Sequence, residues 1–296
     1  MTDALRGHAA MLVFSALIAG SFALGSMAAP HIAPTALNAV RFVLASVLVG
    51  TTACLTVGIP HRSWAAPWRY ILLGGSMGFY FVMMFEGLKT AQPVSASAVF
   101  TLTPILSGFF GFVLLRQHMT RRMALALAIG AAGALWVIFR ADLSAMLRLD
   151  IGPGETIFFV GCIAHALYTP MVRKLNRGEN PIVFSFGAMV AAAGLLMMFG
   201  WRDVVSTDWA NLPTIVWITI VYTGVVATAI TFVLLQFASL RLPSAKVMAY
   251  TYLTPTWVIA WQASLGHGLP PTWVLGGIAL TILALMLLIK HEPQTG

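Results

Sequence analysis

The sequence predicts an all-α integral membrane protein whose ten transmembrane helices form two inverted five-helix repeats. Three observations carry that expectation: a composition almost without charge, a series of apolar runs each about as long as a bilayer is thick, and a short motif that recurs half a chain later. Apolar residues fill 59% of the 296 positions and charged residues 9%, with a mean hydropathy of +0.88. Soluble domains carry about 25% charged residues, so this chain cannot cover itself for water and its solvent is lipid. The same surplus of apolar surface excludes intrinsic disorder.

Runs of about 20 residues match a hydrocarbon core of about 30 Å at about 1.5 Å of rise per residue. The runs fall at 9–29, 35–57, 68–88, 94–115, 123–140, 154–173, 182–200, 213–238, 243–264 and 272–290. Breakers punctuate the junctions, among them Pro30, Pro60, Pro93, Pro153, Pro181, Pro213, Pro243 and the Pro270–Pro271 pair. Arg6 and His8 precede the first run, which leads straight into the next, so it reads as a retained helix and not a cleaved signal. Cys54 and Cys162 sit inside apolar runs as small hydrophobes, and two cysteines so placed exclude a disulfide or zinc framework.

Counting Lys and Arg on alternate sides of these runs puts 12 on one side, 4 on the other, and leaves Arg41 inside a span. Asp142, Asp150, Asp203 and Asp208 lie in the basic-poor loops. The positive-inside rule therefore predicts that both termini are cytoplasmic, in a multi-pass protein of the cell (inner) membrane. A pI near 10.0 then reflects this bias and attraction to anionic lipid. The lipid bilayer is the expected partner, with no nucleic acid; monomer and homodimer both stay open.

Ala98–Pro104 reads Ala-Val-Phe-Thr-Leu-Thr-Pro, and Ala249–Pro255 reads Ala-Tyr-Thr-Tyr-Leu-Thr-Pro, 151 residues later in the ninth run. Ile18–Ala19 likewise recurs as Ile163–Ala164 in the first and sixth runs. These matches predict two repeats, residues 1–145 and 146–296. Five helices is an odd number, so the repeats must cross the membrane in opposite senses, an arrangement that lets two halves rock about a central site. Pro104 and Pro255 fall in mid-run, where each removes a hydrogen bond. They read as hinges or as static kinks that improve packing.

Pro34 followed by Arg41–Phe42, Gly87-Leu88-Lys89-Thr90-Ala91 leading to Pro104, Gly154–Glu155 leading to Ala166-Leu167-Tyr168 and Arg173–Lys174, and Leu240–Lys246 leading to Pro255 together resemble the EamA-like branch of the drug/metabolite transporter superfamily. The resemblance spans nearly the whole chain. It implies ten helices, transport without a cofactor, and export. Two departures stand out: Leu115–His118 and Leu265–His267 replace a frequent Gly-Glu, and His165 stands where a Trp is common.

Ionisable residues at membrane depth cost several kcal/mol unless paired or hydrated, which makes them candidates for function. Arg41 reads as an anchor bonded to carbonyls or as a binder of a substrate carboxylate. Glu86, three residues before Lys89, reads as a local pair or as the acid that couples transport to protons. His165 could be a neutral cross-helix partner, a substrate ligand or a proton carrier. Lys246 could snorkel to headgroups or meet an anionic substrate from the cytoplasm. Tyr80, Tyr168, Tyr222, Tyr250 and Trp257 are deep enough to form an aromatic pocket, with Asn38 among its uncharged polar contacts; lipid-facing or core packing is the alternative for each.

No HExxH, GxSxG, Walker motif or cluster of buried carboxylates is present, so an enzyme, a metal site and direct ATP drive are not expected. A small molecule is the expected partner: amino acids first, aromatic or other large neutral ones above all. Exchange of nucleotide sugars or sugar phosphates would want a basic cluster, and export of cationic drugs a buried acid. A receptor or scaffold would have no use for inverted halves with mid-helix prolines.

Overall fold

The computed structural model describes residues 3–148 and 151–289. Asp150 and Lys290, counted above among the loop charges, lie outside the described residues, as does the side chain of Arg148. Every regular element among the described residues is helical. The helices are α1 (Asp3–Ala28), α2 (Pro34–Thr56), α3 (Trp68–Gly87), α4 (Pro93–Phe100), α5 (Thr103–Leu115), α6 (Arg121–Ile138), α7 (Leu143–Arg148) and α8 (Pro153–Leu175). They continue with α9 (Pro181–Phe199), α10 (Trp201–Ser206), α11 (Thr214–Val221), α12 (Thr231–Ser239), α13 (Ser244–Ala249), α14 (Thr254–Ser264) and α15 (Trp273–Ile289). A π-helical stretch, Tyr222–Ile230, joins α11 to α12, and a 3-10 turn, Tyr250–Leu253, joins α13 to α14.

Eight of these segments are long and apolar enough to cross a membrane: α1, α2, α3, the α4–α5 unit Pro93–Leu115, α6, α8, α9 and the composite Thr214–Ser239. Their outward faces carry large apolar side chains, among them Val47, Phe109, Phe112 and Met198, each more than half exposed. Such faces would aggregate in water and are what lipid requires. The expected junction between residues 145 and 146 falls inside the short helix α7.

Proline sets many of the starts. Pro34, Pro93, Pro104, Pro153, Pro181 and Pro255 all stand in the first turn of their helices, where the missing N–H would have had no partner. Pro104 and Pro255 therefore do not kink continuous helices; the chain breaks just ahead of each and starts a new one. Pro104 cannot donate to the carbonyl of Phe100, and the Thr103 hydroxyl donates to it instead at 2.7 Å. The two breaks meet, with Thr103 Oγ1 and Thr251 Oγ1 3.3 Å apart. Around them α4 packs on α14 and α5 on α13, so each first half-helix lies against the other motif's second half-helix.

On the side that carries most of the basic residues, Arg69 is 1% exposed and its Nη2 donates to Glu179 Oε1 at 2.7 Å. Its Nη1 donates to the Leu175 carbonyl at 2.7 Å. The pair ties the start of α3 to the α8–α9 loop, and Tyr70 adds a bond to the Ser63 carbonyl at 2.9 Å. Burial alone would push Glu179 up, but hydrogen bonds from Arg69 and from the Arg177 amide outweigh it and hold the carboxyl below its ordinary value. A depressed carboxylate contributes stability that is complete at neutral pH and is lost as pH falls through the depressed value. Removing one partner strands a buried charge, so Glu179→Gln should cost about 3 kcal/mol at pH 7. Thermal unfolding in detergent checks this, and the melting curves of variant and parent should converge on acidification below the usual carboxylate range.

Candidate functional site

Helical periodicity points four side chains of α3 the same way: Met77, Tyr80, Phe81 and Met84, spaced i, i+3, i+4, i+7. Phe14, Ile18, Ser21 and Phe22 form a matching stripe on α1. With Phe100 from α4, His165 from α8 and a stripe from the 214–239 span, they surround a central void of about 20 Å³, room for about one water molecule, so a small molecule enters only if these side chains part.

The void is an aromatic box. The rings of Tyr80 and His165 lie 4.4 Å apart and those of Phe100 and His165 5.0 Å apart. Tyr80 stacks on Phe100 at 5.8 Å, and Phe81 stacks on Phe232 at 6.5 Å. Two buried polar atoms among the lining residues, His165 Nδ1 and Ser21 Oγ, have no hydrogen-bond partner among the described residues. An unsatisfied buried polar atom costs about 1–3 kcal/mol, which is tolerated where a ligand meets it. None of the side chains around the void is a carboxylate, lysine or arginine.

Other residues singled out in the sequence fall elsewhere. Asn38 and Arg41 stand behind Phe81: the Arg41 guanidinium lies 3.7 Å from the ring centroid, its Nε donates to Thr228 Oγ1 at 2.6 Å, and its Nη2 donates to the Ala227 carbonyl at 3.0 Å. Asn38 Oδ1 accepts from Arg41 Nη1 at 3.4 Å, and its Nδ2 donates to the Pro34 carbonyl at 2.8 Å. Tyr168 is one layer out from the void, against Phe232, and its hydroxyl accepts from Gln236 at 2.9 Å.

Tyr222, Tyr250 and Trp257 line a seam with α1 instead. Tyr222 donates to the Leu17 carbonyl at 2.9 Å, Tyr250 bonds His8 at 3.0 Å, and Trp257 Nε1 donates to Ser15 Oγ at 3.3 Å. Glu86 pairs with Lys89 at 2.7 Å with both side chains over a third exposed. Lys246 is partly exposed on α13. Pro104 and Pro255 flank the meeting point of the two breaks. Sequence reasoning passed over Phe22, Phe100, Phe232 and Ser21, because phenylalanine in an apolar run carries no signal beyond its helical spacing. No group of side chains that could hold a metal occurs among the described residues.

Long apolar helices packed around a small internal void make this a multi-pass membrane protein. The EamA-like transporter family model matches residues 5–139 and again 152–290, and the chain belongs to that family, within the drug/metabolite transporter superfamily. It is 28% identical over 212 residues to a protein named "Uncharacterized transporter YyaM" from Bacillus subtilis (strain 168), covering 70% of this chain and 68% of that one. A crystal structure described only as that of a protein superposes with a TM-score of 0.71 at 20% identity, covering 97% of this chain and 96% of the other. At that identity the likeness speaks for the fold alone.

His165→Leu should keep or raise the melting temperature, because it removes an unsatisfied buried atom at nearly constant volume, and should weaken solute binding. Thermal unfolding and equilibrium binding, measured on one preparation, check both halves; a fall in stability with unchanged binding would make His165 a packing residue.

Proposed function

We propose that this transporter exports small metabolites across the cytoplasmic (inner) membrane, with aromatic or other large neutral amino acids foremost. The observation that carries the reading is the aromatic, uncharged lining of the central void. Rings from Tyr80, Phe81, Phe100 and Phe232 suit a planar side chain, while His165, Ser21 and Thr231 suit its polar end. Absence of a lining carboxylate speaks against cationic drugs, and absence of a lining Lys or Arg against sugar phosphates. The same uncharged lining favours a second reading, in which the substrate is a flat neutral metabolite without the charged ends of an amino acid.

Alternating access between inverted halves is the proposed cycle. Its support is that the packing pairs come in exchanged partners: α3 lies on α8 as α1 lies on the 214–239 span, and α5 lies on α8 as α1 lies on α14. Two further segments would complete ten spans: the broken 244–264 unit, and the 17-residue α15 packed along α6. Ten spans together with the charge bias would put both termini in the cytoplasm. Proton coupling through Glu86 or His165 belongs to the same proposal.

Counterflow in proteoliposomes tests it. Preloaded phenylalanine, tyrosine or threonine should accelerate uptake of the labelled amino acid, and an imposed pH gradient should change the rate if protons are coupled. Exchange of sugar phosphates or quaternary amines with no amino-acid exchange would overturn the substrate. In the same assay Pro104→Ala or Pro255→Ala should slow turnover more than it weakens binding; normal rates in both would make the breaks purely structural.

A further inference from the structure

The two halves share a contact that they do not build alike. Ala188 stands seven residues after Pro181, as Arg41 stands seven after Pro34, and Ser185 matches Asn38 at four. A β-carbon on Gly74 of α3 would lie 2.5 Å from the Ala188 carbonyl oxygen, and one on Gly224 would lie 3.4 Å from the Arg41 carbonyl oxygen. So α9 meets α3 through Ala188 and Gly74, and α2 meets the 214–239 span through Arg41 and Gly224. Where the partner is Ala188, α3 is regular α-helix; where the partner is Arg41, the helix widens into the π stretch Tyr222–Ile230.

Chain length agrees. Gly87, the end of α3, follows Gly74 by 13 positions, whereas Ser239, the end of α12, follows Gly224 by 15. A π turn closes through i→i+5 bonds, so two such turns take in roughly two residues more than α turns would. Arg41 donates into this stretch at both Ala227 and Thr228, and its planar fork suits two adjacent acceptors. Next along the chain come Thr231, Phe232 and Leu235, which face the void opposite the α3 stripe.

We infer that Arg41 is a positioning residue for transport: it holds the π-helical stretch open and thereby sets which side chains of the 214–239 span face the substrate void. The inference rests on the void being the substrate site. Reversion to α-helix would shift the register of Thr231, Phe232 and Leu235 by one or two residues, about 100° of rotation each. The second half, with Ala188 in the equivalent place, keeps its facing helix in regular register, so the two walls of the void are unequal.

Hydrogen–deuterium exchange on the full-length protein in nanodiscs tests this with Arg41→Lys, Thr228→Val and the conservative Thr228→Ser. Loss of a hydrogen bond to a charged group should speed exchange of residues 222–232 by about tenfold in Thr228→Val, leave residues 68–87 unchanged, and return to the parent rate in Thr228→Ser. Phenylalanine counterflow should show a raised KM in Thr228→Val with little change in kcat. Unchanged exchange at 222–232, or equal acceleration in every span, would overturn the role of Arg41. If Arg41→Lys does not fold, Thr228→Val decides alone. If the parent does not exchange phenylalanine, the substrate reading falls while the exchange data still judge the arginine.

Discussion

In lipid, a backbone carbonyl or amide without a partner costs several kcal/mol, so irregular chain is tolerated only where protein covers it. This constraint organises the molecule. The three irregular stretches within its apolar runs, at Thr101–Leu102, Tyr222–Ile230 and Tyr250–Leu253, turn most of their residues into the bundle, with Ile230 the exposed exception. The first two are serviced by nearby hydroxyls or by Arg41: Thr101 bonds the Ala98 carbonyl at 2.6 Å, Thr103 that of Phe100, Thr223 that of Thr219 at 2.6 Å, and Arg41 that of Ala227. Thr101 and Thr103 therefore stand at the first break for a reason unrelated to helix propensity.

Close helix approach follows from the same solvent. With no hydrophobic effect between helices in lipid, packing depends on small residues. Gly74 lets α3 touch the backbone of α9, and Gly87 and Gly154 bring α3 and α8 within backbone contact. Larger residues then fill what the glycines leave open, as the Tyr222 ring fills the space at Gly20 and the Tyr252 ring that at Gly130. Tyr222 and Tyr252 are thus shaped as much by the glycine opposite as by any ligand.

Much of the fold was legible because lipid demands long apolar runs and short loops, and both are countable. The membrane class and eight of the ten run positions follow from that. What the Leu-Thr-Pro motifs do locally was not legible: proline in mid-run reads as a kink, and only the geometry places it in the first turn of a new helix. The π stretch was hidden for a similar reason, since Tyr222–Ile230 has an ordinary apolar composition and its cause, Arg41, lies some 180 residues away. Of the candidate site, Tyr80 and His165 stood out by polarity, whereas Phe22, Phe100 and Phe232 were one apolar residue among many. The hydrogen-bond partners of Tyr222, Tyr250 and Trp257 lie on α1, a long-range relation that helical spacing does not encode.

Arg69 and Arg41 are both fully buried arginines, yet their settings differ. Arg69 stands at the water-facing end of α3, where a carboxylate neutralises it and loop residues close over the pair. Arg41 lies deep in α2 with neutral acceptors and the Phe81 face around it, and no carboxylate among the described residues is within ion-pair distance. A charge kept in that setting must be held by several dipoles at once, which is why its donors reach Thr228, Ala227 and Asn38 together. Its field also reaches the far face of Phe81, where the void begins, and is screened less there than at a surface. On the proposal that the void is the substrate site, this charge favours a solute whose electron-rich end faces α2 over a cationic one. The arginine that shapes one wall of the void thus also gives an otherwise uncharged box a polarity.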